Sequence, residues 1–485
     1  MNSLMQGGSE GVRRFPDGFI WGVGTSSYQI EGAVSAEGRG PSIWDTFTHT
    51  PGRINRGDTG DIACDSYNRL EDDVRLLSDL GVDAYRFSVS WPRVLPTGSG
   101  AINQPGLDYY RRLVEALNES GIRPVLTVYH WDLPQALEDR GGWANRDTAK
   151  RLGELAAVLA DALGDQVSTW VTINEPLQTV QQGYRTGTHA PGLADLELAA
   201  AATHHILLGH GYALQALRAA LPSAAIGPAM DPQPFVALDA AVEHVALALD
   251  AEYNRVYMDP VFRGSYPADL DGDLRPPEAL ILDGDMELIS APIDFFGLNY
   301  YRPHHLRSGD WDDLRDGERP VAGHPGAVYY VAPEIQCTVM GWPIVPNGLR
   351  DLLIRLHEES RGLPVYITEN GCAADDYLTP EGTIDDQERV DYIHGHLLAV
   401  LQALDAGVQV AGYFHWSLMD NFEWAEGYRR RFGLHYVDFG TGRRIPKRSA
   451  HFYGRVARTG ELPSSPAALD GEPQAEALPE ASAAV

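Results

Sequence analysis

Cysteine is scarce in this chain. Of 485 residues only Cys64, Cys337 and Cys372 are cysteines, an odd number, far apart and with no C-x-x-C pair. That excludes a disulfide framework and a zinc knuckle, and it predicts reduced thiols in a cytoplasmic protein. Long apolar runs are also missing. Nothing approaches the ~20 apolar residues of a membrane span, and the start, MNSLMQGGSEGVRRF, has no apolar stretch of signal-peptide length. The expectation is a soluble protein without a membrane partner. Basic residues are few, 38 against 67 acidic ones, for a formal charge of −29. Such a balance opposes binding to nucleic acid or anionic lipid. No G-x-G-x-x-G follows an early strand, so a doubly wound nucleotide-binding sheet is disfavoured. No solenoid-type repeat stands out.

What is present is a rhythm. Short apolar, β-branched or aromatic runs occupy 19–24, 84–89, 124–129, 169–173, 225–230, 295–300, 365–368 and 410–415. Their near-continuous hydrophobicity suits strands buried on both faces of a parallel sheet. Helical patterns lie between them. Residues 72–80 put Val74, Leu77 and Leu80 on one face before Gly81, and 107–120, 147–163 and 386–405 end at or near Gly121, Gly164 and Gly407. Eight strand-then-helix units predict an α/β fold, a single-domain (β/α)8 TIM barrel with long βα loops at 25–71 and 301–350. The barrel is expected to span 15–458, after a loose lead-in at 1–14. The segment 459–485 has five acidic side chains, no basic ones and no aromatics. It reads as a disordered Ala/Pro-rich tail.

In such a barrel the reactive side chains belong at the C-terminal ends of the strands. The first run leads into Ser26, Tyr28, Gln29 and Glu31. The third ends in His130, Trp131 and Asp132, and the fourth in Asn174, Glu175 and Pro176. The sixth ends in Asn299, Tyr300 and Tyr301, and the seventh in Glu369, Asn370 and Gly371. The eighth continues through Trp416 and Ser417 to Asp420, Glu423 and Trp424. A lone N-E-P or E-N-G marks only a turn. Taken together, two carboxylates stand on opposite sides of the mouth among amides, an imidazole, a phenol and indoles. Amides and carboxylates bind hydroxyls, aromatic faces stack on sugar rings, and paired carboxyls perform glycoside hydrolysis. No H-x-H and no Asp/His cluster at metal-ligand spacing stands at these ends, so neither metal nor cofactor is expected.

These motifs, in this order, resemble glycoside hydrolase family 1, the β-glucosidase family, across 15–455. They are FIWGVGTSSYQIE at 19–31, YRFSVSWPR at 85–93, YHWDLP at 129–134, TENG at 368–371 and WSLMDNFEW at 416–424. The resemblance implies a retaining β-glycosidase that removes terminal β-glucosyl units from cellobiose or aryl glucosides. Glu369 would be the nucleophile, kept ionised by Arg86 and hydrogen-bonded by Tyr301. Glu175 would be the acid/base, with a raised pKa. Asn174 would hold the sugar 2-hydroxyl. Gln29, His130, Glu423 and Trp424 would bind the remaining hydroxyls, with Trp131 and Asn299 beside them and Trp416 under the ring. Trp342 resembles the platform for the leaving group. Ile173, Leu177 and Ser66 depart from the family pattern and touch packing and aglycone preference. Glu423 would repel a 6-phosphate, which disfavours a phosphoglycosidase. Both glutamates being present disfavours a silent sugar-binding relative. Glucose is expected ahead of galactose and fucose. A homo-oligomer is left open.

Overall fold

The computed structural model describes residues 12–466. Each of the eight runs is a strand: β1 Ile20–Gly24, β2 Ala84–Ser88, β3 Arg123–Tyr129, β4 Thr169–Asn174, β5 Ala225–Met230, β6 Phe296–Asn299, β7 Val365–Asn370 and β8 Val410–Trp416. They close into a parallel barrel in chain order, β8 returning to β1 with Gly412 opposite Ile20 and Trp416 opposite Gly24. Every residue of β2 is buried, as strands covered by helices outside and side chains inside must be.

The helices end where glycine permits. Leu70–Leu80 buries Val74, Leu77 and Leu80 and stops at Gly81, whose φ of 76° is left-handed. Gly121 and Gly407 are left-handed too, after Gln104–Glu119 and Gln387–Asp405. Gly164 differs. It stays right-handed at the end of Arg146–Leu163, and a Cβ there would meet the Ala160 carbonyl and Leu221 at 2.4 Å. Space rather than φ requires that glycine.

The 301–350 loop holds a small sheet. His304–Ser308, Glu318–Pro320 and Ala327–Tyr330 join Phe235–Ala237 from the loop after β5, over a separate apolar cluster that includes Val245, Leu249 and Leu306. Of the expected end segments, 1–11 and 467–485 lie outside the described residues. Their inner edges are ordered: Arg13–Arg14 pairs antiparallel with Glu461–Leu462, and Leu462 is buried. The folded body therefore reaches past 15–458 at both ends. Among the described residues no helix is long and apolar enough to cross a membrane.

The loop that follows β8 rests on a buried charge network. Lys447 Nζ lies 2.6 Å from both Asp376 and Asp420. Arg389 pairs with Asp376 and Asp386, and Arg431 with Asp420. Asp420 also accepts from the Gly433 amide at 3.1 Å. Buried charges are tolerated only when paired, so removing one partner costs more than its bond is worth. Lys447→Met should lower unfolding free energy by about 3 kcal/mol in urea titrations. An unchanged midpoint would refute the importance of this network.

Candidate active site

Arg86 on β2 is the hub. Its Nε donates to Thr127 Oγ1 on β3 at 3.2 Å. Nη1 donates to Glu369 Oε1 at 2.6 Å and to the Thr368 carbonyl at 3.2 Å, both on β7. Nη2 donates to Asn174 Oδ1 on β4 at 2.6 Å. Glu369 is closed from its other side by the Tyr301 hydroxyl, which donates to Oε2 at 2.7 Å. Arg86 and Glu369 are both almost fully buried, which strengthens the pair and makes either charge costly alone.

The amides between the two glutamates have fixed orientations. Asn299 Oδ1 accepts from Thr368 Oγ1, so its Nδ2 must face Asn174 Oδ1 at 3.0 Å and Glu175 Oε1 at 2.7 Å. Asn174 Oδ1 is thus taken by two donors, and its Nδ2 points to His130 Nε2 at 3.2 Å. His130 accepts there and carries its proton on Nδ1. Burial, with Arg86 adding to it, holds its pKa well below the usual imidazole range, so the ring is neutral.

In the loop after β1, Gln29 gives Nε2 to Asn421 and the Phe422 carbonyl and receives Ser26 on Oε1. It keeps only acceptor capacity for a ligand. Glu423 Oε2 is buried and has no hydrogen-bond partner among the described residues. Trp416 lies nearly parallel to the His130 ring, 5.7 Å away, and Trp424 packs against Trp44 and Trp131 at 4.5 and 4.6 Å. Trp131 also donates its indole N–H to the Asn174 carbonyl at 3.1 Å. Trp342 lies edge-on to Tyr301 at 5.5 Å and packs in the same apolar cluster as Trp416 and Phe432. Gly371, which sequence reasoning treats as a turn marker, has another purpose. A Cβ there would sit 1.9 Å from the Trp416 carbonyl, so the glycine lets β7 and β8 approach.

Three of these residues hold left-handed backbone: Trp131 at φ 76°, Glu175 at 46° and Trp424 at 45°. For side chains of this size that region is strained, at about 1–3 kcal/mol each. Pro176 follows Glu175 and starts the helix Pro176–Val180.

Burial raises the pKa of both glutamates, and at Glu369 it opposes the ionising effect expected of Arg86. Glu175 goes well above its ordinary value, pushed first by burial, then by Asp231 and Glu369, with no bonded cation to oppose them. Glu369 is raised as well, but Arg86 and Tyr301 pull against burial. Of the pair, Glu175 therefore holds the proton. Glu423 is pushed up to about 8 by burial, then by the charges of Glu369 and Glu426.

Asp231 escaped the sequence reading, although it sits just past β5, where the strand-end rule points. It is buried, accepts from Gln178 Nε2 at 2.7 Å, and is raised to about 7, by burial first. Gln178 belongs to the helix that begins beside Glu175.

The profile of "Glycosyl hydrolase family 1" matches residues 12–462. Beta-glucosidase A of Thermotoga maritima is 43% identical over 454 residues, covering 93% of this chain and 99% of that protein. A bifunctional beta-D-glucosidase/beta-D-fucosidase of Bifidobacterium breve is 44% identical over 452 residues, covering 91% and 97%. The solved structure of the Thermotoga maritima beta-glucosidase in complex with deoxynojirimycin superposes with a TM-score of 0.86 at 43% identity, over 92% of this chain and 99% of that one. This chain belongs to glycosyl hydrolase family 1.

Asp231 gives a stability test. With its folded pKa near 7 and an unfolded value near 4, the native state binds the extra proton between those pH values. Wild-type stability is therefore lost as pH rises through that window. Asp231→Asn keeps an acceptor for Gln178 and removes the titration. Its stability relative to wild type should be near zero at pH 4 and rise by about 4 kcal/mol at pH 8 in thermal unfolding. A pH-independent difference would contradict the raised pKa.

Proposed function

We propose that this family 1 chain is a retaining β-glucosidase in which Glu369 is the nucleophile and Glu175 the acid/base. One observation carries the assignment of roles. Glu369 is bonded by a guanidinium and a phenol, whereas Glu175 is bonded only by an amide and is crowded by two carboxylates. The first environment favours an ionised oxygen that can attack. The second favours a proton that can be given away.

In the first step a Glu369 oxygen bonds to the anomeric carbon as the bond to the leaving oxygen breaks. Glu175 transfers its proton to that oxygen. The ester formed on Glu369 no longer carries charge, so Glu175 loses a like-charged neighbour and its pKa falls. It then takes a proton from water, which displaces Glu369 from the same face that the leaving group vacated. Asn174, held by Arg86 and Asn299, is oriented to donate to the 2-hydroxyl. Neutral His130, Gln29 and Glu423 are available to the other hydroxyls, and Trp416, Trp424 and Trp131 wall the ring.

Terminal β-D-glucosyl units of cellobiose or aryl glucosides fit this set. Activity on β-D-fucosides is a second reading, favoured by the Bifidobacterium breve relative that is named for both. A 6-phosphate is disfavoured, because where it would dock the chain presents the Glu423 carboxyl, which even when protonated supplies no positive charge. We read Trp342 as the surface under the leaving group. The three free thiols, Cys64, Cys337 and Cys372, support a cytoplasmic setting. Breakdown of cellulose-derived oligosaccharides is the matching role.

With an activated aryl β-glucoside and azide, Glu369→Ala should yield the α-glucosyl azide and Glu175→Ala the β-glucosyl azide, read by NMR. Opposite anomers would reverse the roles. The basic limb of kcat/KM should follow Glu175. Asp231→Asn, by removing a negative neighbour, should move that limb to lower pH by about one unit. A limb that stays in place would mean that Glu175 does not sense Asp231.

A further inference from the structure

The residue after Tyr301 is an arginine without a carboxylate. Arg302 lies with its guanidinium carbon 4.8 Å from the ring centre of Trp342, the indole that also meets Tyr301. One step along the chain thus leads from the phenol on Glu369 to a half-buried cation. Arg319, on the strand Glu318–Pro320, lies 5.9 Å over Tyr329. Burial, with the Arg319 charge next in weight, pushes the Arg302 pKa down to about 10. The same two cations, after burial, depress His304.

Neighbouring arginines are neutralised in the usual way. Arg307 pairs with Glu318, and Arg185 with Glu252 at 2.8 Å and Asp273 at 2.8 Å. Arg302 and Arg319 have no ion pair among the described residues. This happens in a chain with 67 acidic residues and a net charge of −29. Two like charges close together, one of them partly desolvated, destabilise the fold unless an anion arrives. A guanidinium over an indole is also preorganised, since its plane is set before a ligand docks.

We propose that Arg302 and Arg319 form a carboxylate-binding wall on the leaving-group side of the site, so that the preferred aglycone carries a carboxylate. This rests on the glycosidase reading and on Trp342 as the surface under the aglycone. A planar carboxylate takes two parallel N–H donors from a guanidinium. An aryl ring between that carboxylate and the glycosidic oxygen places the anion near Arg302 while the ring meets Trp342. The surrounding negative surface repels the same substrate, so the two arginines decide the sign of the preference.

The test compares 4-(carboxymethyl)phenyl β-D-glucoside with its primary amide, two substrates whose leaving phenols have similar acidity. At low ionic strength the full-length enzyme should favour the acid in kcat/KM by about tenfold, a difference that added salt reduces. R319Q, at an exposed position, should cut this ratio several-fold. R302Q with R319Q should bring it to one or below. A wild-type ratio of one or less, or a ratio unchanged in R319Q and in the double variant, overturns the proposal while leaving the glucosidase reading intact. Turnover of neither substrate overturns both.

Discussion

Arg86 is the constraint on which the site is built. A guanidinium this deep in a barrel has to be surrounded by acceptors, and its partners come from β3, β4 and β7. Satisfying it orients Glu369, and it also claims one lone pair of Asn174. That choice sets which end of the Asn174 amide faces His130, and so which nitrogen of His130 bears hydrogen. The geometry at one buried cation therefore propagates through fixed amide orientations as far as His130. A parallel barrel suits such a hub, because the C-terminal ends of its strands converge on one mouth.

Two groups of charges surround this hub. Asp231, Glu175 and Glu369 share one dry region in which their pKa values rise together, and Arg86 with Tyr301 breaks the symmetry between the glutamates. The loop carrying Glu423 and Trp424 is held by Lys447, Arg389 and Arg431 on the far side of Asp420. It reaches the loop after β1 through Asn421 and Gln29. The paired glutamates and the loop after β8 thus rest on different buried ion networks. They meet at β8, whose last residue, Trp416, leads into that loop.

Much of this was legible in the chain. Doubly buried parallel strands leave uninterrupted apolar runs, so all eight strands were readable, and the position just past a run is where barrel chemistry sits. Glu175, Glu369, Asn174 and Asn299 follow from that rule. Asp231 obeys it as well, but an aspartate before proline also reads as a turn, and no motif set it apart. Other features depend on contacts between residues distant in sequence. The clash that requires Gly371 involves Trp416, and the Asp231–Gln178 bond joins the loops after β4 and β5. The upward pull on Glu369 comes from burial, which no local pattern reports. The small sheet within 301–350 was hidden because its short strands are half exposed and lack the long apolar runs of the barrel.

The left-handed residues Trp131, Glu175 and Trp424 have a wider meaning. A procedure that chose each residue for local backbone comfort would prefer glycine at all three positions. It would then erase one of the two paired glutamates and two of the indoles beside them while the barrel stayed closed. Part of the active site is written into this chain as disagreement between residue and backbone. Such disagreements persist only where the surrounding structure holds them, so their clustering at the mouth of the barrel makes that mouth the most tightly determined part of the fold.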